Sequence, residues 1–222
     1  MTKTLLSTCA IALALCASSA PAAIVVGTAD TGASNSIPFD SYLGGYYFSE
    51  IYNKAKFGAG LTIKQLSFYQ TKSSGGAPGT GTFTFWLGTS NAALSTFDTN
   101  GFFQYPDASF TKVYQGTLSA LVNGRMDVNL TTAFNYSAAQ NLVLIVRNDD
   151  LSGNGDLFLD VDANAVDLNS RINASSLDRN FGFVTGFNVA PVPEASTWAM
   201  MIGGFALAGA ALRGRRKAVR FA

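Results

Sequence analysis

The chain has 222 residues, of which 48% are hydrophobic and only 13% charged, and its formal net charge is +1. It has no histidine and two cysteines, Cys9 and Cys16, so histidine-based triads, Cys–His pairs and His-ligated zinc are absent from its chemistry. The near-neutral total hides a split: residues 24–190 hold nine Lys and Arg against thirteen Asp and Glu, a mildly acidic body that argues against nucleic acid as a partner.

The first element is a secretion signal over residues 1–22. Lys3 supplies a positive start, and Leu5 to Ala17 is an apolar segment too short to span a bilayer stably. Ala20-Pro21-Ala22 offers the small residues of a cleavage site, with the cut after Ala22 or Ala23. Both cysteines fall inside this signal, so the exported body carries no disulfide and holds by packing alone.

Residues 23–190 read as one domain, long enough for a sizeable core. Leu61 to Tyr69 alternates apolar and polar, with a slip near Gln65. Thr82 to Leu87 alternates too, which puts Phe83, Phe85 and Leu87 on one face and Trp86 on the other. Arg125 to Leu130 repeats the pattern. Leu142 to Val146 is apolar throughout, as a central strand buried on both faces would be. Leu157 to Val161 and Phe181 to Val184 complete the set. Ser73 to Gly81 is a glycine-rich loop, Asn123-Gly124 a hairpin turn, and Ser152-Gly153-Asn154-Gly155 a further turn. No stretch of the body sustains a helical period. The prediction is an all-β fold, an antiparallel β-sandwich of jelly-roll or immunoglobulin-like kind.

Two constellations in the body have the residue types of a ligand site. Trp86 with Tyr46 and Tyr47, and with Tyr42 and Tyr52 nearby in sequence, offers an aromatic platform for carbohydrate rings; the alternative is that these rings seal a sandwich face. Asp150, Ser152, Asn154 and Asp156 place oxygen ligands at every second residue, with Gly155 for the sharp turn, as in the first half of a calcium loop. An EF-hand loop starting at Asp150 needs a bidentate acid at position 161, which is Val161; Asp160 and Asp162 flank it and on a strand point to the opposite face. The alternative is a polar hairpin loop capping its own backbone, with no cofactor.

Ser49 to Tyr52, Leu61 to Tyr69, Phe85 to Gly88, Val113 to Gly116, Phe134 to Tyr136 and Asn141 to Val143 follow one order. In this, residues 37–150 resemble a β-sandwich module of large secreted and surface proteins of Bacteroidetes. The resemblance implies a non-catalytic accessory or adhesive domain.

The last segment, 191–222, is tripartite. Val192-Pro193-Glu194-Ala195 is followed by an uncharged run, Trp198 to Leu212, and then by Arg213, Arg215, Arg216 and Lys217. As a helix at ~1.5 Å per residue the run reaches roughly 22 Å, short of the ~30 Å bilayer core, with Trp198 placed at one interface. The cations past its end stay cytoplasmic, which puts the body outside the inner membrane. Gly203, Gly204 and Gly209 let a second membrane helix approach closely. The order of Val192, Pro193 and Glu194, then Trp198, Ala199 and Met200, then glycine-rich helix and arginine cluster resembles a PEP-CTERM sorting signal, with Ala195 where the Pro-Glu-Pro box has its second proline. The resemblance implies recognition by an exosortase, a membrane-embedded cysteine peptidase, and cleavage near Pro193-Glu194.

Together these readings predict a non-enzymatic exported protein, sorted through the inner membrane to the outer surface or extracellular matrix. Its expected service is structural or adhesive, linked to exopolysaccharide and biofilm. A carbohydrate-binding module is the second reading, and a carboxylate-based glycan hydrolase the third.

Overall fold

A computed structural model describes residues 23–39, 45, 47–70, 76–94, 105–149, 157–164, 166, 168–172 and 176–189. The chain divides into two units, 1–190 and 191–222, and every described residue belongs to the first. The predicted secretion signal and the whole tripartite tail lie outside the described residues. Among those residues no helix is long and apolar enough to cross a membrane.

The strands are β1 (Ile24–Val26), β2 (Ser34–Asn35), β3 (Tyr47–Tyr52), β4 (Leu61–Tyr69), β5 (Phe83–Ser90), β6 (Thr111–Gly116), β7 (Arg125–Tyr136), β8 (Asn141–Asn148), β9 (Leu159–Asp162), β10 (Leu168–Ile172), β11 (Ser176–Arg179), β12 (Gly182–Phe183) and β13 (Thr185–Phe187). A 3-10 turn, Lys54–Phe57, follows β3. One sheet runs β1-β13-β4-β7, a second β11-β10-β3-β8-β5-β6, and a small third β12-β9-β2, with antiparallel neighbours in each.

Eight strands carry the architecture: β1, β3, β4, β5, β6, β7, β8 and β13. Taken in chain order, the first sheet holds the first, eighth, third and sixth of them, and the second holds the second, seventh, fourth and fifth. That interleaving is a jelly roll, two Greek keys wound together, and it decides between the two sandwich types predicted. β10 and β11 widen the second sheet beyond β3. At the far end, Thr131 Oγ1 on β7 donates to the Val113 carbonyl on β6 at 3.0 Å and ties the sheet edges together.

Side-chain parity builds the core. Phe83, Phe85 and Leu87 of β5 are fully buried between the sheets, with Leu142, Leu144 and Val146 of β8 beside them. The other face of β8 is apolar too: Val143 and Ile145 pack with Ile51 beneath Ala92, Leu94 and Phe110 of the β5–β6 connection. A Cβ at Gly88 would lie 2.5 Å from Phe110 Cδ1, so only glycine lets that ring onto the sheet. The Asn123-Gly124 turn forms as expected, with φ of 52° and 72° and mutual backbone bonds between Val122 and Arg125. The expected strand Phe181 to Val184 is instead a corner. Gly182 and Phe183 pair with β9, Thr185 begins β13 against β4, and Val184 turns between the two sheets.

The slip near Gln65 is a break in the β4–β7 register between Ile63 and Gln65. Asn188 repairs the other side of β4 there. Its backbone, at φ 54°, leaves the strand, and its side-chain amide takes over the ladder. Oδ1 accepts from Lys64 N at 2.7 Å and Gln65 N at 3.3 Å, and Nδ2 donates to Thr62 O at 2.7 Å. Asparagine suits the position because it tolerates left-handed backbone and carries a peptide-like amide.

One acid lies inside. Glu50 faces the core with Phe48 and Tyr52, and neither carboxyl oxygen meets hydrogen-bond geometry with a described residue. β12 crosses directly over it, so a Cβ at Gly182 would lie 2.3 Å from Glu50 Oε1. Burial pushes its pKa well above the ordinary carboxylate value, and the Phe183 backbone and Tyr52 hydroxyl offset only part of that. The same burial, with Glu50 beside it, raises the Tyr52 hydroxyl, which donates to Thr185 Oγ1 at 3.1 Å and links β3 to β13.

Two outcomes follow. Asn188→Ala strands three backbone groups in a part-buried ladder and is expected to cost about 2–3 kcal/mol, lowering the melting temperature by roughly 5–10 °C; an unchanged melt would remove the amide from the ladder. Folded Glu50 keeps a proton that the unfolded chain releases near pH 4.5. Its contribution is therefore complete below that pH and is lost as pH rises through the raised folded value, at up to about 1.4 kcal/mol per pH unit. Glu50→Gln keeps the shape and cannot ionise, so urea unfolding across the acid-to-neutral range is expected to show the variant gaining on the wild type as pH rises. Parallel curves would contradict it.

Candidate functional site

The six-stranded sheet presents its outer face at one end as a cluster of rings around an arginine. Tyr47 on β3, Arg147 on β8 and Thr84 on β5 are direct cross-strand neighbours and form one row, and Trp86, opposite Ile145, stands in the next row on the same face. The outward position expected of Trp86 is the one observed, half-buried on the side opposite Phe83, Phe85 and Leu87.

The Arg147 guanidinium carbon lies 5.2 Å from the Tyr47 ring centroid and 5.7 Å from that of Trp86. Nη1 donates to the Tyr47 hydroxyl at 2.7 Å. Nε donates to Asp149 Oδ1, and Thr84 Oγ1 donates to the other Asp149 oxygen. Burial works against the charged guanidinium, but Asp149 and the Tyr47 hydroxyl more than offset it and raise its pKa further. Tyr47 and Trp86 are 5.9 Å apart with planes at 39°, and Tyr105 meets Tyr47 edge-on at 4.9 Å and 65° while 67% exposed. Two tilted rings and a guanidinium thus form a floor, and Tyr105 forms a wall.

Of the aromatic residues singled out in sequence, Trp86 and Tyr47 are brought together, and Tyr42 and Tyr46 lie outside the described residues. Tyr52 is a correction. Five positions after Tyr47 on the same strand, it has the opposite parity and is fully buried in the core. Arg147, Asp149, Thr84 and Tyr105 escaped the sequence reading. The one available signal was that Arg147 ends the apolar run at even spacing from Val143 and Ile145, which assigns it to their face.

Asp150, Ser152, Asn154 and Asp156 lie outside the described residues. Among those described, no cluster of three metal-binding side chains occurs. Asp160 and Asp162 are both buried, and the two oxygens of Asp162 accept from Thr28 N at 2.9 Å and Asn164 N at 3.0 Å. A second concavity, of about 170 Å³, lies between Tyr114, Leu118 and Asp127. Polar groups on its rim are already committed: the Tyr114 hydroxyl donates to the Thr117 carbonyl and Ser119 Oγ to the Asp127 carbonyl.

Residues 191–217 match the PEP-CTERM protein-sorting motif, so the chain carries that sorting signal. The motif marks an exported protein that an exosortase membrane enzyme processes and that is sorted by way of the membrane to the surface. No curated protein and no solved structure matches the chain. None of these comparisons shows the resemblance of residues 37–150 to a Bacteroidetes module.

The sorting route sets a definite terminus. Intact-mass spectrometry of the extracellular form is expected to place its last residue close to Glu194. A secreted form still carrying Arg213 to Arg220 would contradict processing.

Proposed function

We propose that the jelly-roll body is a non-catalytic domain that engages exopolysaccharide at the cell surface or in the extracellular matrix, in a structural or adhesive role. The observation that carries this reading is the Tyr47–Trp86–Tyr105–Arg147 cluster. Rings half-buried on a rigid sheet give apolar surface to the C–H face of a pyranose, and the adjoining guanidinium, hydroxyl and carboxylate groups suit its hydroxyls. Each part of the floor is held by neighbours on three strands, so little order has to be gained on binding.

The chemistry left to the body also favours binding over catalysis. The chain has no histidine, and its two cysteines lie at positions 9 and 16. The Glu50 carboxyl is sealed in the core, and backbone amides occupy Asp162. A matrix or biofilm location accords with a motif that delivers its carrier to the surface.

Trp86→Ala removes the largest ring of the floor. Affinity electrophoresis through gels containing the producing organism's exopolysaccharide is expected to show retarded wild-type protein, with affinity reduced tenfold or more in the variant, about 1.4 kcal/mol or above. Equal mobility of the wild type with and without polysaccharide would end this reading.

A further inference from the structure

The polysaccharide reading leaves open which chemistry of chain the site takes, and the charges around its floor bear on that. Arginine in a glycan site commonly suggests an acidic sugar, because a guanidinium pairs well with carboxylate. Here that pairing is already made within the protein. Asp149 takes the Nε proton of Arg147 on one oxygen and is fixed by Thr84 on the other. The carboxylate is the more buried partner, its side chain 16% exposed against 33% for Arg147. Its backbone amide is anchored as well, donating to the Thr82 carbonyl at 2.7 Å. Asp149 therefore stays in place when a ligand arrives. An incoming carboxylate or sulfate meets a guanidinium whose charge is cancelled, with a fixed anion directly behind it.

Lys112 is a further cation on this face, across from Trp86 on β6. It is exposed, and its ammonium donates to Gln115 at 3.0 Å, so water and salt screen it. What remains of Arg147 is its flat surface, stacked over Tyr47 and beside Trp86, which extends the floor as a third ring would. The rings themselves are not coplanar: Trp86 tilts 39° from Tyr47 and Tyr105 stands at 65° to it. A flat crystalline polysaccharide face cannot touch all three, whereas a single twisting chain can.

We infer that this site, resting on the polysaccharide reading above, takes a single uncharged polysaccharide chain in solution, and that the Asp149 carboxylate is the specificity-determining group that excludes acidic chains.

The test uses the full chain in a detergent without a sugar headgroup, and the producing organism's extracellular polysaccharide separated by anion exchange into uncharged and acidic fractions. Affinity electrophoresis is expected to show wild-type protein retarded at least fivefold more strongly by the uncharged fraction than by the acidic one. Asp149→Asn keeps the side-chain shape and leaves Arg147 with its charge uncancelled. It is expected to gain at least threefold in retention by the acidic fraction at low salt, a gain lost at about 0.5 M salt, where the screening length falls to a few ångströms. Thermal melts matching the wild type verify that the variant is folded. Should the variant unfold, the wild-type preference between fractions still decides. Wild-type protein that prefers the acidic fraction, or the insoluble crystalline form of the uncharged one, overturns this inference and leaves polysaccharide binding standing. Retention by neither fraction removes the polysaccharide reading and this inference with it.

Discussion

Phe39 sits in a loop between β2 and β3, yet its ring reaches all three sheets. It packs on Phe68 of the first sheet at 5.0 Å, on Phe83 and Phe85 of the second at 6.2 and 6.4 Å, and on Phe183 of the third at 5.5 Å. With both cysteines at positions 9 and 16, no disulfide can substitute for this contact. Emptying an aromatic position of this kind costs about 3–5 kcal/mol, a large part of the ~5–15 kcal/mol that holds an ordinary domain. The order of the sheets, the corner at Val184 and the covering of Glu50 by β12 all presuppose that the small third sheet is pinned at this point.

The ring cluster on the outer face is a consequence of the same economy of packing. β8 is apolar on both sides, so the second sheet cannot leave its outer face to water. The β5–β6 connection folds back and covers Val143 and Ile145 with Ala92, Leu94 and Phe110. Tyr105 of the same connection reaches Tyr47 in the Tyr47–Arg147–Thr84 row. At that rim the sheet changes from apolar to polar, and rings and charges meet there because each has one side against the cover and one toward solvent. The floor of a site made in this way, Tyr47, Trp86 and Arg147, sits on strands, which gives it definite geometry.

Period-two alternation made most of the fold legible in the sequence. It located β4, β5 and β7, assigned Phe83, Phe85 and Leu87 inward and Trp86 outward, and marked the slip at Gln65. The unbroken apolar run identified β8 as central, and Asn123-Gly124 identified its turn. What alternation cannot express is which strand lies beside which. Tyr47 and Arg147 are a hundred positions apart, and only the sheet order makes them neighbours. Tyr52 is the converse case: its odd spacing from Tyr47 on one strand sends it to the opposite face, which parity alone expresses. Phe39, Glu50 and Asn188 were illegible for another reason. Each is defined by a contact peculiar to its place: a loop ring in the core, a buried acid beneath a crossing strand, a side chain acting as backbone.

The position of β13 connects the fold to the sorting motif. β13 is the last strand of the body, yet it lies between β1 and β4 and not at an edge. The first sheet is therefore incomplete until residues through Phe187 are in place, and only then does Asn188 close the ladder on Thr62, Lys64 and Gln65. The sorting motif begins at residue 191, just past this closure. Among the described residues, a cut near Glu194 thus takes away no strand residue and no ladder hydrogen bond. Were the final strand two or three residues longer, or were the ladder closed by main chain running on past Asn188, processing and folding would compete for the same residues. An asparagine side chain that ends the sheet on the spot keeps the two apart.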